Sequence, residues 1–389
     1  MDITPNTMTK FIPLSVPNLK GNEKKYVDDA ITQEWVSTGG AYITQMEKAV
    51  AEYVHTPDAV ACQSGTAALH LSLICCGVNA GDEVIVPTLT FIAAVNPVKY
   101  VNAEPVFMDC DDTLCMDMDK LERFCLEECE MRDGKLTDKS NGKHVSAVIV
   151  VHVFGNIANM EKLMDLKKRF GFKVIEDATE AFGSYFKTGV FAGKFAGTIG
   201  DIGALSFNGN KIVTTGGGGM LISQDTKILD KARYLSTQAK DDAVYFLHNE
   251  IGYNYRMTNL QAAVGVAQIE RIEEFVAIKN ANYDNYVKNG VKLYPFREDI
   301  RSNRWFYSYL TDKRDDLIKY LGENNIQSRP VWHLIHDLPP YKNSRAYRIE
   351  KAQHFHDRVV NIPCSTNLTA DDVNTVSETI IKFNEKAKV

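Results

Sequence analysis

No stretch of the chain approaches the ~20 consecutive apolar residues that a helix needs to cross a bilayer, which excludes a helical membrane protein. Met1–Lys10 is polar and lacks the apolar centre of a secretion signal, so the expected location is the cytoplasm. Basic charge is not in excess. Lys and Arg number 44 against 50 Asp and Glu, a net charge of -6, which argues against a dedicated nucleic-acid binder. The eight cysteines form no CxxC pair. Cys125 and Cys129, four apart on an expected helix, have no second pair nearby to complete a zinc site. In a large chain without a secretion signal they read as reduced core fillers, and no metal is expected. There is no internal repeat, so a solenoid or propeller is set aside.

What is present is ordinary globular material in quantity. Apolar residues make up 44% of the 389 and charged residues 24%, enough to build a sizeable core. The length predicts two domains. Short apolar runs alternate with helical patterns: strands near Ala59–Cys62, Glu83–Pro87, Pro105–Met108, Val145–Val153 and Phe172–Ile175, and helices over Thr66–Cys76 and Asn159–Phe170. Val145–Val153 is nearly continuous Val, Ile and Ala, the pattern of a strand covered on both faces. The predicted class is α/β, a mostly parallel sheet clad in helices, with ligands bound beyond the carboxyl ends of the strands. Glu127–Lys143 is polar and reads as an exposed insertion. Near residue 269 the pattern shifts to a long charged helix, then strand-like Trp305–Leu310 and helices near Asp315–Asn324 and from Ala370. The expected division is a large domain over 13–268 and a smaller α/β domain over 269–389, with 1–12 a tail returning to the latter.

Several tempting motifs fail by position. Asp109-Cys-Asp-Asp begins like a calcium loop but has Leu114 and Lys120 where Gly and Glu belong. Gly189–Lys194 is one residue short of a phosphate loop and is followed by Phe195. His248-Asn-Glu250 with Pro363-Cys364 lacks the second cysteine of a zinc deaminase, since Asn367 stands there.

Three strand-end features survive. Ser64-Gly65-Thr66 joins a strand to a helix whose free N–H groups and dipole suit a phosphate, although the same turn serves as a plain N-cap. Val174-Ile-Glu-Asp177 ends a buried strand in acids, and a carboxylate there needs a partner, either a protonated ring nitrogen or the next helix. Lys211 precedes Gly216–Gly219, with Ser206 just upstream. A lysine held in a pocket loses its proton readily and becomes an imine-forming nucleophile, and glycine lets the backbone crowd a flat ligand. Phosphate cradle, acid and lysine are what pyridoxal phosphate requires of a protein. Phe91, past another strand end, suits ring stacking or the core equally.

These residues sit in a wider pattern: Gly21-Asn-Glu-Lys-Lys-Tyr26, Trp35-Val-Ser-Thr-Gly39, Ser64-Gly-Thr-Ala-Ala-Leu-His70, Gly81-Asp-Glu-Val-Ile-Val-Pro87, Ile175-Glu-Asp-Ala-Thr-Glu180, Phe207-Asn-Gly-Asn-Lys211 and Gly252-Tyr-Asn-Tyr-Arg-Met257. Together they resemble the DegT/DnrJ/EryC1/StrS sugar aminotransferases, fold-type-I pyridoxal-phosphate enzymes, over essentially the whole chain. The resemblance implies that Lys211 carries the cofactor and Asp177 partners its pyridine nitrogen. It implies that Gly65, Thr66 and Ser206 bind the phosphate and Phe91 stacks on the ring. It places Glu180 beside the cofactor, where relatives often have Gln or His. Asn254 corresponds to an asparagine that reaches the phosphate from the partner subunit, so a homodimer with shared active sites is implied. Arg329, in Ser328-Arg-Pro330, is a candidate contact for the nucleotide-sugar or an ordinary surface arginine.

The implied reaction moves an amino group from glutamate, leaving 2-oxoglutarate, to C4 of a nucleotide-linked 4-keto-6-deoxy sugar. Leu14-Ser-Val-Pro-Asn18, Pro87-Thr-Leu-Thr-Phe-Ile92, Pro105-Val-Phe-Met-Asp109 and Thr237-Gln-Ala-Lys-Asp-Asp242 resemble the branch near legionaminic acid and bacillosamine synthesis. That makes UDP-2-acetamido-2,6-dideoxy-hexos-4-ulose the expected acceptor. Asn254-Tyr-Arg-Met-Thr-Asn259 is shared with the perosamine branch, whose acceptor is GDP-4-keto-6-deoxymannose. A cofactor-binding regulator without turnover is the other alternative; retention of Lys211, Asp177 and Ser206 argues against it.

Overall fold

The computed structural model describes residues 10–242 and 244–386. Its centre is an eight-stranded sheet. In spatial order the strands are Asp58–Cys62, Gly219–Ser223, Ile202–Ser206, Lys173–Asp177, Val145–Val151, Glu83–Pro87, Glu104–Met108 and Ala346–Tyr347. Gly219–Ser223 runs antiparallel to both neighbours, and the pairs from Ile202–Ser206 onward are parallel. All seven residues of Val145–Val151 are buried. Val148 and Val150 pack into one core cluster while Ala147 and Ile149 pack into the other, so side chains alternating along one strand feed the two covered faces of the sheet.

Local signals explain the helices that flank it. Ser64 is extended and its Oγ accepts from the N–H of Ala67 at 3.0 Å, starting helix Gly65–Cys75 just past the first strand. Helix Met160–Phe170 is capped by Asn159, buries Leu163, Leu166 and Phe170, and stops at Gly171, whose φ of 81° is left-handed. A smaller antiparallel sheet joins Tyr307–Leu310, Val359–Ile362 and Arg329–Pro330. Helices Ile272–Lys288, Arg314–Glu323 and Ala370–Lys386 belong to the same part of the chain. The N-terminal segment reaches this part: Ile12 exchanges backbone hydrogen bonds with Asn325 and Gln327, and Lys10 pairs with Asp372 at 2.7 Å. Of the expected tail, residues 1–9 lie outside the described residues.

The segment Glu127–Lys143 is mostly exposed, as expected, but it is ordered as a hairpin, Cys129–Arg132 with Lys135–Asp138, and Asp138 is buried in an ion pair with Arg345. Its polar composition hides inward-facing Leu136 and Asp138. Cys129 opens a strand of that hairpin, so it does not share a helix with Cys125. Gly219 begins a strand, and a Cβ there would lie 2.4 Å from the backbone of Ser64, so its lack of a side chain serves strand-to-turn packing. The main sheet also takes its last strand from residues 346–347.

Candidate active site

Strands that run the same way deliver their carboxyl ends to one edge of the sheet. There the turns after Cys62, Pro87, Asp177 and Ser206 surround a cavity of about 380 Å³. Seven of the expected residues line it: Gly65, Thr66, Phe91, Asp177, Glu180, Ser206 and Lys211. Asn254 and Arg329 are exposed and do not line it.

The two acids that end Lys173–Asp177 point opposite ways, as the two-residue period of a strand requires. Glu176 is fully buried and held by the N–H groups of Gly197, Ile199 and Gly200 at 2.9, 2.7 and 2.5 Å. The Nε2 of His152 lies 2.8 Å from Oε2, the oxygen that also accepts from Gly197. Asp177 is the one that faces the cavity. Its Oδ1 accepts from the N–H of Thr179 at 3.0 Å. Burial pushes its carboxyl above the usual carboxylate range, against the Thr179 hydrogen bonds and the nearby charge of Lys211. A buried acid with capacity to spare is suited to a cationic partner.

Lys211 follows a tight turn in which its N–H donates to the carbonyl of Asn208. Its Nζ lies 3.9 Å from Glu180 Oε1 and 4.0 Å from the centre of the Trp305 ring. Burial lowers its affinity for a proton, while Glu180 and Asp177 raise it. Beside it, Gly65 and Ser206 approach so closely that a Cβ on Gly65 would sit 2.9 Å from Ser206 Cβ. The first N–H groups of helix Gly65–Cys75 lack helical partners and lie at its positive end. This cradle fits a phosphate, and with Asp177 and Lys211 in the same cavity the donor set fits a phosphorylated pyridine aldehyde.

Sequence reasoning missed part of the wall. Trp305, Phe306 and Trp332 also line the cavity, with Thr179, Asn208 and Asn210. The expected strand at Trp305 begins only at Tyr307, and Trp305 and Phe306 are stacked at 4.0 Å instead. A signal was available: two of the chain's three tryptophans are here. Trp332 lies three residues beyond Arg329 and packs on Phe154 at 4.9 Å.

The profile of the DegT/DnrJ/EryC1/StrS aminotransferase family matches residues 17–381, and the chain belongs to that family. It is similar to the GDP-perosamine synthase of Escherichia coli O157:H7, 37% identical over 381 residues that cover 96% of this chain and 99% of the relative. The GDP-perosamine synthase of Caulobacter vibrioides is 36% identical over 377 residues, 94% and 96% of the two chains. A crystal structure of a DegT DnrJ EryC1 StrS aminotransferase from Brucella abortus superimposes with a TM-score of 0.86 at 25% identity, covering 93% and 95%. The protein is thus a pyridoxal-phosphate-dependent sugar aminotransferase with the α/β fold of that class.

Proposed function

We propose that this enzyme transfers the amino group of glutamate to C4 of a nucleotide-linked 4-keto-6-deoxy sugar. The observation that carries the reading is the joint placement of Lys211, Asp177 and the Gly65–Ser206 cradle in one cavity. Pyridoxal phosphate, when bound, supplies an aldehyde that accepts the amino group and a ring that absorbs the electrons of a carbanion. The chain's own residues do the rest. Lys211 Nζ would hold the cofactor at its aldehyde carbon and would move a proton as general base and acid. Asp177 holds the proton on the ring nitrogen. The N–H groups at Gly65 and Thr66 and the Ser206 hydroxyl hold the phosphate. Phe91, half exposed at the mouth, stacks on the ring.

The outer wall suits a deoxy sugar. Trp332, half-buried in the wall, offers aromatic surface to an apolar sugar face, and Arg329 is placed on the same segment for an anionic nucleotide. The resemblance carried by Leu14–Asn18 and Pro87–Ile92 supports UDP-2-acetamido-2,6-dideoxy-hexos-4-ulose as acceptor. A GDP-linked 4-keto-6-deoxy sugar is the second reading, favoured by the two GDP-perosamine synthases at 36–37% identity. We also propose a cytoplasmic homodimer. All eight cysteines are free, as a reducing compartment would keep them. Tyr245, Phe246 and Ile251, at 77%, 70% and 85% exposed, leave apolar surface beside Asn254 for a second copy.

The deciding experiment incubates enzyme and glutamate with UDP-, GDP- and dTDP-linked 4-keto-6-deoxy sugars and reads amination by mass spectrometry. Conversion of one of them names the nucleotide. Release of 2-oxoglutarate with no amination of any of the three would overturn the sugar class.

A further inference from the structure

Glu180 stands one turn past Asp177 and is 4% exposed. Its Oε2 accepts from the N–H of Phe154 at 2.9 Å. Phe154 is held in a left-handed conformation, φ 56°, and its carbonyl accepts from the N–H of Trp305 at 3.0 Å. Asn303 Nδ2 donates to the backbone carbonyl of Glu180 at 3.0 Å. The carboxylate is therefore held by the Phe154 turn and the backbone beneath it by Asn303, and the other carboxylate oxygen, Oε1, is the one 3.9 Å from Lys211 Nζ.

The charged groups that act on it are Lys211 and Asp177. The turn at Phe154 contributes a backbone N–H, and the segment at Asn303 a neutral amide. Burial pushes the Glu180 carboxyl up to about 7 and lowers the proton affinity of Lys211. Both displacements disfavour the charged pair, so the ammonium–carboxylate and amine–carboxylic acid forms approach each other in energy.

We propose that Glu180 and Lys211 share one proton, and that the carboxylate, by its charge 3.9 Å from Nζ, sets the pH at which the Lys211 nitrogen is protonated. In the exchange, once a rotation of the Lys211 side chain or one bridging water closes the 3.9 Å gap, an N–H bond of the Lys211 ammonium breaks and an O–H bond forms on Glu180 Oε1. The electron pair stays on nitrogen, and no net charge leaves the cavity. The inference rests on Lys211 as the cofactor lysine and not on which sugar is aminated.

The test is a pH titration of the visible absorbance of cofactor-loaded protein, parent against Glu180→Gln. Glutamine keeps an oxygen for the Phe154 N–H and nearly the same volume, so a purely structural role would leave the midpoint unmoved. A carboxylate this close to a cation raises its pKa by roughly 1–3 units. The midpoint should therefore fall by about one unit or more in Glu180→Gln. In cofactor-free protein, the pH midpoint for the rate of capturing added pyridoxal phosphate should fall in the same direction. Glu180→Asp keeps the charge at longer reach, and its midpoint should lie between the two; it decides the matter if the glutamine variant does not fold. Should Lys211→Ala keep the visible band, the lysine assignment itself is wrong. If that band is lost as expected but the Glu180 variants titrate with the parent, the shared proton is overturned.

Discussion

The ammonium of Lys211 lies over the Trp305 ring, 4.0 Å from its centre, although the two residues are almost a hundred positions apart in the chain. Trp305 is 3% exposed, and its Nε1–H donates to the carbonyl of Asn210 at 2.8 Å. One indole thus grips both the lysine and the turn that presents it. Trp305→Phe keeps a ring but loses the hydrogen bond, and should cost about 1 kcal/mol of stability with the cofactor retained. Trp305→Ala empties the wall and should cost about 3–5 kcal/mol. Urea unfolding measures both, and equal stability of the two variants would show that the ring's packing is unimportant.

Lys211→Ala should abolish the visible absorbance of the loaded protein and lower turnover by at least about 10²–10⁴-fold, the worth of a positioned acid-base group. The lysine shares the cavity with Asp177 and Glu180 and lies beside the phosphate cradle. Turnover within tenfold of the parent would remove it from the chemistry.

The legible part of this site was the part written in strand ends. Asp177 and Lys211 stand next to turns with their own local grammar, an acid after a buried run and a lysine before four glycines. The choice between Glu176 and Asp177 follows the strand's two-residue period, which the buried run alone does not phase. Trp305 and Trp332 offered only the rarity of tryptophan as a signal, because their place in the site depends on packing of a distant segment. Phe154 and Trp332 meet at 4.9 Å across 178 positions of chain, and no local pattern announces such a contact. The hairpin at Cys129–Asp138 escaped for a related reason: its strands are four residues each, and one of them has three exposed residues, so neither shows the long alternation that marks a strand.

Asp177→Asn should retain the visible band yet slow the half-reaction with glutamate. Asparagine keeps the shape and can still accept from the Thr179 N–H. It lacks the charge that holds a proton on the ring nitrogen. Hydrogen bonds to charged groups contribute about 1.5–3 kcal/mol, which predicts a slowing of roughly 10- to 100-fold. Single-turnover absorbance reads the rate directly, and an unchanged rate would assign the ring's partner elsewhere.

Trp332→Ala should raise the KM for the sugar nucleotide several-fold to about tenfold, the range that aromatic stacking supplies. The half-reaction with glutamate should stay within about twofold of the parent, because the small donor does not need that wall. Trp332 is half-buried, lines the cavity and is backed by Phe154, so its ring is held in place before any substrate arrives. A loss shared equally by both half-reactions would make Trp332 a support of the fold and not a sugar contact.

Asn254 is expected to work across the proposed dimer. Its own cavity does not include it. Its neighbours Tyr253 and Tyr255 are stacked on each other at 5.0 Å, and the N–H groups of both are fixed to the carbonyls of Leu235 and Ser236. The Tyr255 hydroxyl lies 3.1 Å from His70 Nδ1. The backbone at Asn254 is thus pinned while the residue stays exposed, a presentation suited to a second subunit. Lys211→Ala and Asn254→Ala should each be defective alone. When the two are mixed and allowed to exchange subunits, one site of each mixed dimer carries both lesions and the other carries neither. Random exchange makes half the dimers mixed, so about a quarter of all sites should be intact and activity should return to roughly that level. If subunits exchange and no activity returns, Asn254 serves its own chain.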